Sequence, residues 1–188
     1  MLYHVSPVAG LKILQPRVST HGKAYVYAVE NMVAGLLFGV RHDDFDFIIS
    51  NNEKGTPILY ECYPDALKSV YQGKNCSVYY INDDGFQRNK TSWDVELVCE
   101  NEVQVIDERI IDDLYNRLLD EEKHGNLIIH RYEYCPEYRK RISNQIVDRL
   151  IRWEIDLESI IRRDNRFSTY YKEIVTELMH ITDGHLLP

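Results

Sequence analysis

Positive charge is scarce in this chain of 188 residues: 22 Lys and Arg stand against 30 Asp and Glu, a formal net charge of −8. The deficit removes the broad positive field that binding to a phosphate backbone exploits, so a nucleic-acid partner would need a local basic patch. The first hundred residues show none. Long apolar runs are missing too. Nothing approaches the roughly 18 residues that cross a bilayer, and Met1-Leu2-Tyr3-His4 lacks the basic segment and apolar stretch of a secretory leader. The expectation is a cytoplasmic protein with no membrane association. Only four cysteines occur, Cys62, Cys76, Cys99 and Cys135, far apart and without a Cys-x-x-Cys pair. A zinc-chelating loop is therefore not encoded, no metal is expected, and the thiols are expected to be free. No Gly-x-Gly-x-x-Gly occurs, which argues against a Rossmann phosphate loop and dehydrogenase chemistry.

What remains is an ordinary globular composition, 44% hydrophobic and 28% charged, enough for one sizeable core or a core with an appendage. Tyrosine is abundant at 14 residues, a ring with a hydroxyl that suits strand surfaces and stacking sites alike. There is no internal repeat, low-complexity tract or Ser/Gly-rich linker.

Up to about residue 106 the pattern is short apolar runs broken by Gly, Pro, Asn and Asp, the signature of strands and turns. Strands are expected at 2–5, 24–29, 58–63, 77–81, 95–99 and 103–106. A helix is expected over 31–42, started by Glu30-Asn31 and carrying Val33, Leu36, Leu37 and Val40 on one face. Asp43, Asp44 and Asp46 read as an exposed loop. From residue 107 onward apolar residues recur at helical spacing: Ile110, Ile111, Leu114, Leu118 and Leu119, then Ile142, Ile146, Val147, Leu150 and Ile151, then Leu157, Ile160, Ile161, Tyr171, Ile174, Val175, Leu178 and Met179. The expected fold is α+β: a mixed, mostly antiparallel sheet over 1–106, followed by a helical C-terminal part, 107–188, packed on it. Arg139, Arg141, Arg149, Arg162, Arg163 and Arg166 interleave with acids in that part, which reads as ion pairing on a solvated face. An RNA-contacting role is disfavoured by the eleven acids between Asp94 and Glu122.

Three residues stand out by position: His4 in the first strand, Tyr27 in a strand that feeds a helix, and Glu96 in a late strand. Singly each reads as structural. Together, Leu2-Tyr3-His4-Val5-Ser6, Val26-Tyr27-Ala28-Val29-Glu30-Asn31, Phe38 eleven residues after Tyr27, and Val95-Glu96-Leu97-Val98 resemble the ADP-ribosyltransferase superfamily of the His-Tyr-Glu type, the branch of diphtheria-like toxins and poly-ADP-ribose polymerases. The resemblance covers roughly the first hundred residues. It implies an ADP-ribosyltransferase-like sheet and transfer of ADP-ribose from NAD, as substrate, to an unknown protein or nucleic-acid acceptor, with release of nicotinamide.

That chemistry breaks a C–N glycosidic bond through an oxocarbenium-like state. The resemblance implies Glu96 as the carboxylate beside the developing cation, His4 as a donor to a ribose hydroxyl, and Tyr27 and Phe38 as rings flanking nicotinamide. Ser6 falls at the family's polar position two residues after the His. Asp94, two residues before Glu96, would orient an acceptor. Glu100 and Glu102 compete with Glu96, because a one-residue shift of register flips a strand side chain to the other face. Val5 stands where the family has Gly, and Val29 where Thr or Ser is common. Both favour an alternative, an inactive ADP-ribosyltransferase-like binding module whose helical part contacts a partner or self-associates. A third reading, an RNA 2′-phosphotransferase on the same fold, ranks last because the pocket segments are poor in Arg.

Overall fold

Alternating and fully apolar short runs do become strands. The computed structural model describes residues 1–18, 22–42, 45–91, 93–152 and 169–172. In chain order they form β1 (Leu2–Ser6), β2 (Ile13–Leu14), β3 (Arg17–Val18), β4 (Ala24–Val29), α1 (Met32–Leu36), β5 (Phe47–Asn51), β6 (Pro57–Glu61), α2 (Ala66–Tyr71), β7 (Cys76–Ile81), β8 (Glu96–Cys99), β9 (Val103–Gln104), β10 (Asp107–Ile111), α3 (Leu114–Lys123), β11 (Ile128–His130) and α4 (Pro136–Arg152). The fold is mixed α+β with mostly antiparallel sheets. The main sheet runs β10-β7-β1-β4-β3, with β8 also pairing β4; β11-β6-β5 form a second sheet and β2-β9 a short ribbon. Among the described residues no helix is long and apolar enough to cross a membrane.

Contacts gather the chain into two units, each built from several stretches. One comprises Met1–His42, Ser50–Ile58 and Leu67–Ile128; the other comprises Asp43–Ile49, Leu59–Ala66 and Ile129–Pro188. In the first unit one face of the main sheet is closed by Leu2, Leu14, Val26, Ala28, Tyr79, Ile81, Leu97, Cys99 and Val103, with Leu11, Phe86 and Val105 packed against them. The opposite face carries α1. The Asn31 side chain caps this helix by accepting from Val33 N–H at 2.9 Å. Gly35 brings it close to the strands: a Cβ there would come 2.8 Å from Val5 Cγ2 and 3.1 Å from Val29 Cγ2, and beyond the helix end one on Gly39 would come 2.9 Å from Cys76 Sγ. The helix is shorter than the expected 31–42 because Gly at positions 35 and 39 exchanges helix propensity for close approach.

Two further expectations are corrected. The residues after 106 do not begin with a helix: Asp107–Ile111 is β10, which pairs along β7, and the helix starts only at Leu114, capped by the Asp113 carboxylate. Ile111 and Ile110 mimic the helical period of Leu114 and Leu118, but Ile110 is 56% exposed and Ile111 is buried, as strand alternation requires. Of the three aspartates expected in an exposed loop, Asp43 and Asp44 lie outside the described residues and Asp46 is buried. It is 3% exposed and accepts the Tyr63 hydroxyl at 2.7 Å, while its carbonyl takes the Cys62 N–H.

In the second unit Ile142 and Ile146 of α4 are buried as their spacing predicts. Three of its described arginines make contacts that the charge pattern does not announce. Arg141 lies over the Tyr60 ring and donates to its hydroxyl, Arg149 donates to the Phe47 carbonyl, and Arg139 donates to the Tyr170 carbonyl. A guanidinium carries enough donors to satisfy carbonyls and a ring edge at once, which a charge-pattern reading does not register. The stripes at Leu157, Ile160 and Ile161 and at Ile174, Val175, Leu178 and Met179, together with Arg162, Arg163 and Arg166, lie outside the described residues.

The Gly35 contact yields a stability test. Gly→Ala inside a helix ordinarily stabilises by up to about 1 kcal/mol. Here Gly35→Ala is expected to destabilise by about 1–3 kcal/mol through overpacking against Val5. Urea unfolding checks it, and Val5→Ala added to Gly35→Ala should recover part of the loss. A stabilised Gly35→Ala single variant would refute the close packing.

Candidate functional site

The candidate residues sit where three strands of the first unit meet. In the β4–β8 ladder Tyr27 stands opposite Val98 and Val29 opposite Glu96; in the β1–β4 pair Tyr3 stands opposite Val29. Opposed residues in antiparallel strands share a face, and residues two apart on one strand do too. Tyr27, Val29 and Glu96 therefore face the same side, the side on which α1 packs against Val29. Tyr27 and Glu96 are diagonal neighbours there, a relation in which residues lie about 7–8 Å apart, with their Cβ atoms somewhat closer. Both are half-buried.

Phe38, just past the end of α1, reaches the same region. It is 42% exposed, and its ring centroid lies 5.2 Å from that of Trp93 and 5.5 Å from that of His42. The Trp93 carbonyl accepts the Glu96 N–H at 3.0 Å, tying this aromatic pair to the start of β8. Trp93 was not a candidate in the sequence reading. A usable signal existed, since a large ring three residues before the favoured carboxylate is out of place in a loop of Asp, Asn, Lys and Ser.

His4 does not join this group. It follows Tyr3 on β1, so its side chain takes the other face, where it stands opposite Tyr79 with ring centroids 6.1 Å apart. Ser6 shares the His4 face, and its hydroxyl accepts the Val8 N–H at 3.2 Å, a local turn contact. The link between His4 and the other residues is through backbone: His4 Nδ1 lies 2.7 Å from the Tyr27 carbonyl. A carbonyl can only accept, so Nδ1 carries the proton, and in the neutral ring Nε2 is an acceptor. That carbonyl is available because Val98 gives both its N–H and its C=O to Gln87, which makes Tyr27 and Val98 a non-hydrogen-bonded pair and turns the Tyr27 polar groups away from β8.

The competing carboxylates have other partners. Glu100 pairs with Lys23 at 2.6 Å and Glu102 accepts from the Gln15 amide at 3.0 Å, both at the surface. Asp94 lies in the turn before β8 and is exposed, so the strand alternation that would align it with Glu96 does not apply. Two of the thiols are poor nucleophiles: burial pushes Cys62 up to about 12 and Cys76 up to about 11, far from thiolate at neutral pH. All four cysteines are free. Among the described residues no group of three His, Cys, Asp or Glu could hold a metal ion.

Burial holds the His4 imidazole below its ordinary 6.5; the bond to the Tyr27 carbonyl opposes this shift and the Arg17 charge adds to it. Just below 6.5 the unfolded chain then binds the proton and the folded one does not, so acid favours unfolding. The stability that neutral His4 contributes is complete above 6.5 and is lost as pH falls through that value toward the lower folded one. Wild type should exceed His4→Gln in stability at neutral pH, and the gap should narrow below 6.5, with a slope of at most about 1.4 kcal/mol per pH unit. Urea melts across pH measure it; a gap that widens in acid would contradict the neutral, carbonyl-bonded ring. No family model matches this chain, and no curated protein and no solved structure matches it.

Proposed function

We propose that the first unit binds NAD and acts as an ADP-ribosyltransferase, on the strength of one observation: a half-buried carboxylate, Glu96, faces the same side of the sheet as Tyr27, beside the Phe38–Trp93 ring pair. Aromatic faces suit the flat, cationic nicotinamide ring. A carboxylate at the glycosidic carbon favours the oxocarbenium-like state over the ground state, because positive charge grows on the ribose as the ring leaves neutral. Glu96 accepts a ribose hydroxyl and stabilises that charge. Tyr27 and Phe38 orient the ring. His4 acts on the site through the Tyr27 backbone, whose carbonyl it holds. The acceptor is a protein or a nucleic acid.

A second reading is favoured by a specific observation. Val5 and Val29, the two departures that favour it, fill the space against Gly35. A sheet so arranged serves equally as a nucleotide-binding module that does not cleave what it holds.

Calorimetry with NAD, with nicotinamide release followed in the same samples, separates the two. For a transferase, Glu96→Gln should slow nicotinamide release by about 10²–10³-fold while leaving NAD affinity nearly unchanged. Tyr27→Ala should weaken NAD about tenfold through lost stacking. Binding without release by wild type would establish the silent module, and no binding at millimolar NAD would end both readings.

A further inference from the structure

We propose that Trp93 positions the leaving ring by donating its indole N–H to the carboxamide oxygen of nicotinamide, an inference that rests on the NAD reading above. The Nε1–H of Trp93 is shielded from solvent, and among the described residues no hydrogen-bond acceptor meets it. A shielded donor without an acceptor is costly, and native proteins keep few of them unless a ligand or water completes the bond.

Three surroundings say what would complete it. The indole packs at 53° to the Phe38 ring, and Phe38 is 42% exposed, so the pair ends in an accessible aromatic surface. The Trp93 carbonyl holds the Glu96 N–H, which keeps the donor within one turn of the carboxylate that would face the glycosidic bond. The neighbouring His42 ring, at 5.5 Å from Phe38, extends the same aromatic surface. A ligand lying there must bring a flat ring and an acceptor. The pyridinium ring of NAD has no free ring lone pair, so its one acceptor is the carboxamide oxygen. A hydrogen bond to that oxygen fixes the rotation of the ring about its glycosidic bond and thereby the face of the ribose presented to Glu96.

The test is calorimetry with two dinucleotides: NAD, and 3-aminopyridine adenine dinucleotide, which has an amino group where NAD has the carboxamide. Wild type should bind NAD more tightly by roughly five- to tenfold, the value of one hydrogen bond to a shielded donor. Trp93→Phe keeps a ring against Phe38 and removes the donor. It should lower NAD affinity by that same factor and leave the aminopyridine dinucleotide within about twofold of wild type. Equal affinities of wild type for the two ligands, or a Trp93→Phe loss that falls equally on both, overturns the assignment while the NAD reading stands. Failure of wild type to bind either ligand overturns the NAD reading itself. The wild-type comparison decides the matter even if Trp93→Phe does not fold.

Discussion

The seating of α1 on the sheet is the contact on which the candidate site depends. Gly35 lets the helix backbone come down onto Val5 of β1 and Val29 of β4, and no residue with a side chain fits there without displacement. The approach sets the height at which the helix ends, and hence where Phe38 emerges beside Trp93. Val5 and Val29 fill the groove a glycine-bearing helix leaves, so they and Gly35 are one packing unit. The Asn31 cap holds the other end, which leaves the short helix little freedom to slide.

A second constraint acts in the plane of the sheet. β8 is engaged on both edges, by β4 on one and by Gln87 on the other. Glu96 therefore starts a strand that cannot shift register without breaking two sets of bonds. On the far side of β4 the Tyr27 carbonyl is held by an imidazole as well as lying in the strand. The tyrosine is thus fixed by its backbone from one face while its ring serves the other. Charge is distributed accordingly: the carboxylate lies with the aromatic rings, and the titrating ring is kept neutral behind them.

Much of this was legible from local pattern. β4 was read with its observed bounds because Val26 to Val29 form an apolar run ended by the cap signal of Asn31, and both cues are contained in a few residues. The elements that were missed depend on distant partners. β10 carries Asp107, Glu108 and Arg109, has an exposed Ile110, and is a strand because β7 is there to pair with it. Asp46 reads as surface because the hydroxyl that satisfies it, on Tyr63, comes from a later strand end. The site was legible as a set of residue types and not as a geometry. Whether His4 and Glu96 share a face depends on the registers of two ladders, and one step of register reverses the answer.

The order in which the strands appear along the chain has a consequence for biosynthesis. β1 and β4 leave the ribosome early, yet β1 must wait for residues 77–81 and β4 for residues 96–99 before their ladders can form. Until then β4 has only β1 and β3 for partners and its β8 edge stays open, an exposed apolar edge of the kind that templates aggregation. Closure of the first unit requires the chain out to Ile128, and the second unit draws on stretches both before and after that point. The first unit can therefore close once residue 128 has emerged, whereas the second must wait for residues beyond it.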